Sequence, residues 1–278
     1  MRRGVFRSVG DVIAALERYI HRANQDPEPF VWTATAASVM AKLELIRPSD
    51  SVHSGFADQP GSSTMTDVFD RATAYGVLPV IAIEDAAHAV PLADALAEGG
   101  LPVAEVTFRT KAAADVMARM TQERPDFLVG AGTVLDLDAL QAARHSGAKF
   151  GLAPGFDPAV VDEALASAWA FAPGIMTPSE LSAAMRRGVK LMKFFPAGTA
   201  GGPKALDGIS APFAHLGLRF IPTGGVTEEN LGDWLAMKTV AAVGGTWIAR
   251  TEDIREGRWA DITRKAKAAV AAAKRVRP

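Results

Sequence analysis

The chain has no cysteine among its 278 residues, which excludes disulfides and thiolate chemistry and suits a reducing compartment such as the cytoplasm. It has no apolar run approaching the roughly 18 residues that a membrane span needs. Near the N-terminus, Val12 to Ile20 is interrupted by Glu17 and Arg18 and is not the apolar core of a signal peptide. An excess of one charge is missing too: the net charge is −1, so nothing draws the chain over long range to nucleic acid or to an anionic membrane. The histidines His21, His53, His88, His145 and His215 are scattered, without HxH or HExxH spacing, and offer no metal-ligand set. What is present, 49% hydrophobic and 22% charged residues, is the balance of an ordinary globular protein able to bury a sizeable core.

The composition changes near residue 65. Residues 47–64, RPSDSVHSGFADQPGSST, are rich in Ser, Gly, Pro and Asp and lack hydrophobic periodicity, which is the composition of a linker. Beyond Met65, short apolar runs alternate with amphipathic stretches. Strands are predicted at Val77 to Ile83, Leu101 to Thr107, Phe127 to Gly130, Lys149 to Ala153, Trp169 to Ala172, Val189 to Lys193, Arg219 to Pro222 and Val240 to Val243. Helices are predicted between them, over Asp85 to Glu98, Ala112 to Gln122, Asp136 to Ser146, Pro158 to Ser167, Pro178 to Arg187 and Glu228 to Met237. Strict alternation argues an α/β fold with a parallel sheet, and eight strands argue closure into a (β/α)8 TIM barrel over residues 65–278. An open doubly wound sheet is the alternative. Its dinucleotide fingerprint is incomplete, because Leu135 stands where the third glycine after Gly130 and Gly132 belongs.

Such barrels place their chemistry at the C-terminal ends of the strands, and Lys193 closes the sixth of them. An amine among Met192, Phe194 and Phe195 is partly desolvated, which disfavours the ammonium form and suits Schiff-base chemistry. Taken alone, this segment reads more readily as a surface lysine at a strand end, and it is the rest of the chain that favours the chemical reading. Period-two alternation puts Lys193 on one face with Val189 and Leu191, and Glu105, Thr107 and Arg109 on one face with Leu101 and Val103. If those apolar residues point inward, an amine, a carboxylate, a hydroxyl and a guanidinium meet at the mouth. A plain ion pair between Glu105 and Lys193 would satisfy the same pattern. Thr223-Gly224-Gly225 follows the seventh strand and Gly244-Gly245-Thr246 the eighth, the two loops where barrels hold phosphate on backbone N–H groups.

The strings LPVAEVTFRT (101–110), VGAGTV (129–134), PGIMTPSEL (173–181), MKFFPA (192–197), IPTGGVT (221–227) and VGGTW (243–247) resemble the bacterial 2-keto-3-deoxy-6-phosphogluconate (KDPG) and 4-hydroxy-2-oxoglutarate (KHG) aldolases. The resemblance implies a class I aldolase barrel, a homotrimer in the cytoplasm, with no cofactor, no metal and no nucleic-acid or membrane partner. It implies Lys193 as the Schiff-base lysine and Glu105 as general base and acid. It also implies Arg109 and Thr133 as holders of the pyruvyl carboxylate, Thr223 as the residue associated with stereochemistry at C4, and the two Gly-Gly loops with Thr246 at the phosphate. Two positions depart from the pattern: Ile83-Glu84-Asp85 stands where many members carry an arginine, and Gly198 where many carry glutamate. The competing functional class is a phosphate-binding barrel of another kind, an isomerase or a non-catalytic sugar-phosphate sensor, which would need no imine at Lys193.

The remaining conspicuous residues have bland readings. Trp169, Trp234 and Trp247 are read as packing residues, and the basic residues from Lys265 to Arg277 as the solvated face of a terminal helix.

Residues 1–46 read as a short, mostly helical or disordered extension. Ser8 with Asp11 resembles a helix cap, and Val12, Ile13, Leu16, Tyr19 and Ile20 form an apolar stripe. Residues 6–43 resemble the C-terminal tail of DDE-type insertion-sequence transposases. Only that tail is present, so no carboxylate triad is implied, and seven Lys/Arg balanced by seven Asp/Glu over residues 1–64 argue against DNA binding. The segment is read as a fused or mistranslated leader ahead of a start at Met65. A fragment severed from its parent domain buries too little apolar surface to offset the entropy of ordering it. A chain beginning at Met65 is therefore expected to match the full chain in melting temperature, oligomeric state and catalytic rate, with limited proteolysis cutting first between Arg47 and Thr64. Loss of solubility or activity in that shorter chain would overturn this reading.

Overall fold

Parallel strands cannot be joined by tight turns, so each apolar run of this chain must be followed by a crossover, and amphipathic helices supply it. The structure, a computed structural model, describes residues 65–277. The expected extension over 1–46 and linker over 47–64 lie outside the described residues. Helix α1 (Met65–Thr73) precedes β1 (Val77–Ile81), α2 (Ala89–Glu98), β2 (Val103–Thr107), α3 (Ala113–Glu123), β3 (Leu128–Gly132), α4 (Leu137–His145), β4 (Phe150–Leu152), α5 (Pro158–Ala166), β5 (Ala170–Ala172) and β6 (Gly174–Ile175). Then follow α6 (Pro178–Arg186), β7 (Leu191–Phe194), α7 (Gly202–Ser210), β8 (Arg219–Pro222), α8 (Leu231–Leu235), β9 (Val243–Gly245), α9 (Thr251–Arg255) and α10 (Trp259–Val276).

All ladders are parallel. Six strands run in the order β5-β4-β3-β2-β1-β9 and three in the order β6-β7-β8. Single parallel bridges, Phe220 to Val240 and Thr223 to Gly244, connect β8 toward β9. Only Pro173 separates β5 from β6; its carbonyl accepts the Lys193 N–H at 2.8 Å, so the chain changes partner from β4 to β7 at this residue. The architecture is α/β with a curled parallel sheet, as the alternation implies, and its ladders form sheets of six and three strands.

Alternation along the strands sorts the interior into two cores. Leu78, Val103, Leu128, Phe150, Leu152, Ala170, Leu191 and Ile221 share the inner one with Val68 and Ala72 of α1. The opposite parity, including Val77, Ala104, Val106, Val129, Met192, Phe194 and Phe220, packs against the helices. Helix α1 is seated on the inner core, where the Phe69 ring lies 5.9 Å from that of Phe150. Met65, Val68, Phe69 and Ala72 have helical spacing, but this helix stands ahead of the first strand, where the alternation of strands and helices does not require one. Two expected inner residues move: Leu101 and Val189 belong to the helix-side core. Both precede the strands that begin at Val103 and Leu191, so strand alternation does not reach back to them.

Other boundaries shift for local reasons. β1 stops at Ile81 rather than Ile83, and the Asp85 carboxylate then accepts from Ala87 N at 2.8 Å to start a 3-10 turn. Asp136 and Asp157, expected at or beside helix starts, cap α4 and α5 through their side chains. The last strand is Val243–Gly245 rather than 240–243, since Val240 forms only the single bridge to Phe220.

The C-terminal helices are locked by Asp253, whose carboxylate meets Arg258 at 2.6 Å and Lys265 at 2.5 Å. Burial raises the Asp253 pKa, but these two cations outweigh it and hold the carboxyl below the ordinary aspartate value of 3.8. A folded-state value below the unfolded one means the stabilisation is complete above about pH 4 and is lost as pH falls through the folded value. Asp253→Asn is expected to cost about 2 kcal/mol at neutral pH, a melting-temperature drop of about 4 to 8 °C for a protein of this size. Calorimetry should show the deficit shrinking below about pH 4; an undiminished deficit there would reject the charge-based account.

Candidate active site

β2 and β7 each carry one ionisable side chain on the inner face, above the apolar residue two positions earlier: Glu105 above Val103 and Lys193 above Leu191. The two meet, with Lys193 Nζ 2.7 Å from Glu105 Oε1, and their exposures are 4% and 0%. Desolvating a pair of ions costs several kcal/mol each, and apolar residues of similar volume often serve a fold as well or better. Stability alone therefore does not account for the pair. The second carboxylate oxygen, Glu105 Oε2, is buried and has no hydrogen-bond partner among the described residues. The Phe195 ring centroid lies 5.8 Å from Nζ, close enough for a weak cation–π contact and for shielding the amine from water. This is an amine held beside a base in an apolar recess with an unused acceptor next to it, which is the arrangement that nucleophilic attack on a carbonyl and proton transfer require.

The other expected residues differ in how closely they join this pair. Thr223 directly follows β8, is 3% exposed and bridges to Gly244. Gly224 and Gly225 turn there with φ of 87° and 82°, values that favour glycine. That turn packs against the loop after β7: Gly198 N donates to Gly224 O at 2.7 Å, and Ala197 N to Thr223 O at 2.8 Å. A Cβ on Gly198 would lie 3.2 Å from Gly225 Cα, so the departure from glutamate at this position accompanies a close contact of two glycines. Gly244 and Gly245 are buried in β9, paired with Leu78 and Pro79, and Thr246 beyond them is exposed. Thr133 is half-buried just past β3 with φ of 57°, a conformation that costs a β-branched residue energy.

Arg109 is exposed beyond β2 and makes no hydrogen bond or ion pair among the described residues; nothing in the structure joins it to Lys193 or Glu105. The Thr107 hydroxyl, expected at the mouth, donates to Ile81 O at 2.8 Å. Trp247 Nε1 is a second buried atom without a partner, which the reading of this residue as plain packing does not cover. Among the described residues no group of three or more His, Asp and Glu is arranged to hold a metal, and no helix is long and apolar enough to cross a membrane.

A family model described as KDPG and KHG aldolase matches residues 68–265. The chain is 42% identical over 198 residues to the KHG/KDPG aldolase of Escherichia coli K12, covering 71% of this chain and 92% of that one. A solved KDPG aldolase from Legionella pneumophila, with pyruvate captured at low pH as a covalent carbinolamine intermediate, superposes with a TM-score of 0.70 at 36% identity, covering 74% of this chain and 98% of that one. The 2-keto-3-deoxy-6-phosphogluconate aldolase of Zymomonas mobilis ZM4 with 3-phosphoglycerate gives a TM-score of 0.69 at 36% identity, covering 75% and 97%.

Proposed function

The chain belongs to the KDPG and KHG aldolase family, and from that premise we propose that Lys193 forms a Schiff base through which it cleaves KDPG to pyruvate and glyceraldehyde 3-phosphate, and 4-hydroxy-2-oxoglutarate to pyruvate and glyoxylate. It is a carbon–carbon lyase. The observation that carries the residue assignment is the buried contact of 2.7 Å between Lys193 and Glu105.

In this reading the unprotonated Lys193 amine attacks the C2 ketone to give a carbinolamine, the species described for pyruvate in the Legionella enzyme. Glu105, which took the proton that left the Lys193 ammonium, returns it to the carbinolamine hydroxyl; departure of water leaves a protonated imine and a Glu105 carboxylate. Glu105 takes the proton of the C4 hydroxyl as the C3–C4 bond breaks, the bonding pair moves to the imine as an enamine, and the aldehyde departs. Protonation of C3 and hydrolysis then release pyruvate and restore the amine. Arg109, without a partner among the described residues, suits a carboxylate because its guanidinium presents parallel donors; Thr133 lies at the end of the neighbouring strand and is assigned the same ligand. Thr223 is assigned the C4 hydroxyl environment.

The two sheets are read as one (β/α)8 barrel in which β5 and β6 are halves of a single strand interrupted at Pro173; the β8 to β9 bridges support closure. The phosphate is assigned to Gly224-Gly225 and to Gly244-Gly245-Thr246, the loops of the last two strands. We further assign the chain to the cytoplasm as a homotrimer with a small-molecule keto acid as its partner, and residues 1–64 to a leader outside the enzyme.

Pyruvate with borohydride is expected to leave a reduced adduct on Lys193, detected by mass spectrometry, and Lys193→Ala to abolish both adduct and cleavage. Glu105→Gln should retain the fold and slow turnover on the order of 10²-fold or more. An active protein with Lys193 unmodified would favour an isomerase or a sugar-phosphate sensor, neither of which needs an imine. Charge-assisted hydrogen bonds are the stronger ones, so kcat/KM should be higher for phosphorylated KDPG than for 4-hydroxy-2-oxoglutarate. Equal efficiencies would remove the phosphate assignment.

A further inference from the structure

The carboxylate of Glu105 does not stand straight out from its own strand. In the β2–β3 ladder Glu105 is opposite Gly130 and Thr107 opposite Gly132, and both glycines are on the inward parity of β3. The space above each is filled by a neighbour. A Cβ on Gly130 would fall 2.1 Å from the Phe150 ring, and a Cβ on Gly132 would fall 2.3 Å from Glu105 Oε1 and 2.8 Å from its carboxyl carbon. Glu105 thus leans diagonally across the ladder and lies on the bare α-carbon of Gly132. The oxygen that lies there is the one contacting Lys193 Nζ.

Conformation does not require glycine here. Gly132 is not among the residues with positive φ, it is paired within β3, and alanine could adopt its backbone geometry. Its only distinctive property is the volume it leaves empty. Glu105 is completely buried, so a displaced carboxylate has no solvent to swing into, and any movement changes its distance from the amine.

We propose that Gly132 is a positioning residue for the aldolase reaction: by carrying no side chain it admits the Glu105 carboxylate to the place from which it exchanges protons at Lys193 and the substrate. This rests on the assignment of Glu105 as acid and base. A displacement of about 1 Å at a catalytic group can cost on the order of 10²-fold, so Gly132→Ala in the full chain should lower kcat by about that factor while leaving KM within roughly 2-fold.

Four proteins test it: the parent, G132A, E105A and the double variant E105A/G132A, each checked for melting temperature and oligomeric state. Removing the Glu105 side chain vacates the space that a methyl group at position 132 needs, so the double variant is expected to be as active and as stable as E105A, the two substitutions being strongly non-additive. A G132A protein with parental kcat, or a double variant slower than E105A by the full G132A factor, would overturn the positioning role. If G132A alone fails to fold, a double variant that folds with the activity of E105A supports the proposal, and one that also fails to fold overturns it. If instead Glu105→Gln and E105A turn over at the parental rate, the acid–base assignment itself falls, whatever G132A does.

Discussion

Two opposite charges in contact inside an apolar interior are the constraint on which the rest of this structure depends. The Lys193–Glu105 pair carries a desolvation cost that its Coulombic attraction only partly offsets. It is held there by apolar packing on both faces of the strands. Below the pair, Leu78, Val103, Leu128, Phe150, Leu191 and Ile221 form an apolar layer closed by α1, and outside the strands a larger core binds the helices. The strands therefore have one end concerned with stability and one end where polar groups are tolerated. The change occurs within two residues on a single strand, at Val103 to Glu105 and at Leu191 to Lys193.

Crowding at that end is relieved by glycine rather than by looser packing. Gly132 lies under the Glu105 carboxylate, and Gly244 lies under Thr223, where a Cβ would come within 2.1 Å of the hydroxyl oxygen. Gly198 and Gly225 face each other across the β7 and β8 loops so closely that a Cβ on either would need its neighbour to shift by a few tenths of an ångström. Each pairing lets an inward group or a loop approach a neighbouring backbone at van der Waals distance. Substitutions at these positions act on the geometry of a neighbour, which is why their effects should depend on the identity of that neighbour.

Much of this is legible in the sequence. Hydrophobic alternation yields the order of the strands and the helices between them, and parity places Glu105 and Lys193 on inner faces even though Leu101 and Val189, which set that parity, lie in the other core. What escapes has physical causes. Helix α1 precedes the first strand and stands outside the strand–helix alternation from which the other helices are read. The switch of partner at Pro173 depends on which strand lies alongside, a long-range fact with no local signature. Gly130 and Gly132 are visible as residues, but their local pattern speaks only to a dinucleotide loop. Their significance lies in the register with Glu105 and Phe150, which needs the ladder. Arg109 falls past the end of β2 as expected, yet nothing in the sequence says that its guanidinium finds no partner among the described residues.

The groups left unsatisfied bear on the proposed chemistry. Buried polar atoms in folded proteins are nearly always paired, and among the side-chain atoms of the described residues only Glu105 Oε2 and Trp247 Nε1 are buried without a partner. One of these belongs to the residue that the mechanism requires to accept and return a proton, and it stands beside the amine that would hold the substrate. An ion pair built only to hold β2 to β7 would gain by engaging both carboxylate oxygens, since an orphaned acceptor costs about 1 to 3 kcal/mol. Thr107, two residues on, instead directs its hydroxyl to Ile81 and leaves that oxygen open. The unengaged oxygen and Arg109, which has no partner among the described residues, are complementary to what a hydroxy keto acid brings, a hydroxyl donor and a carboxylate. On that ground the geometry of the pair accords better with the proposed chemistry than with a purely structural strut.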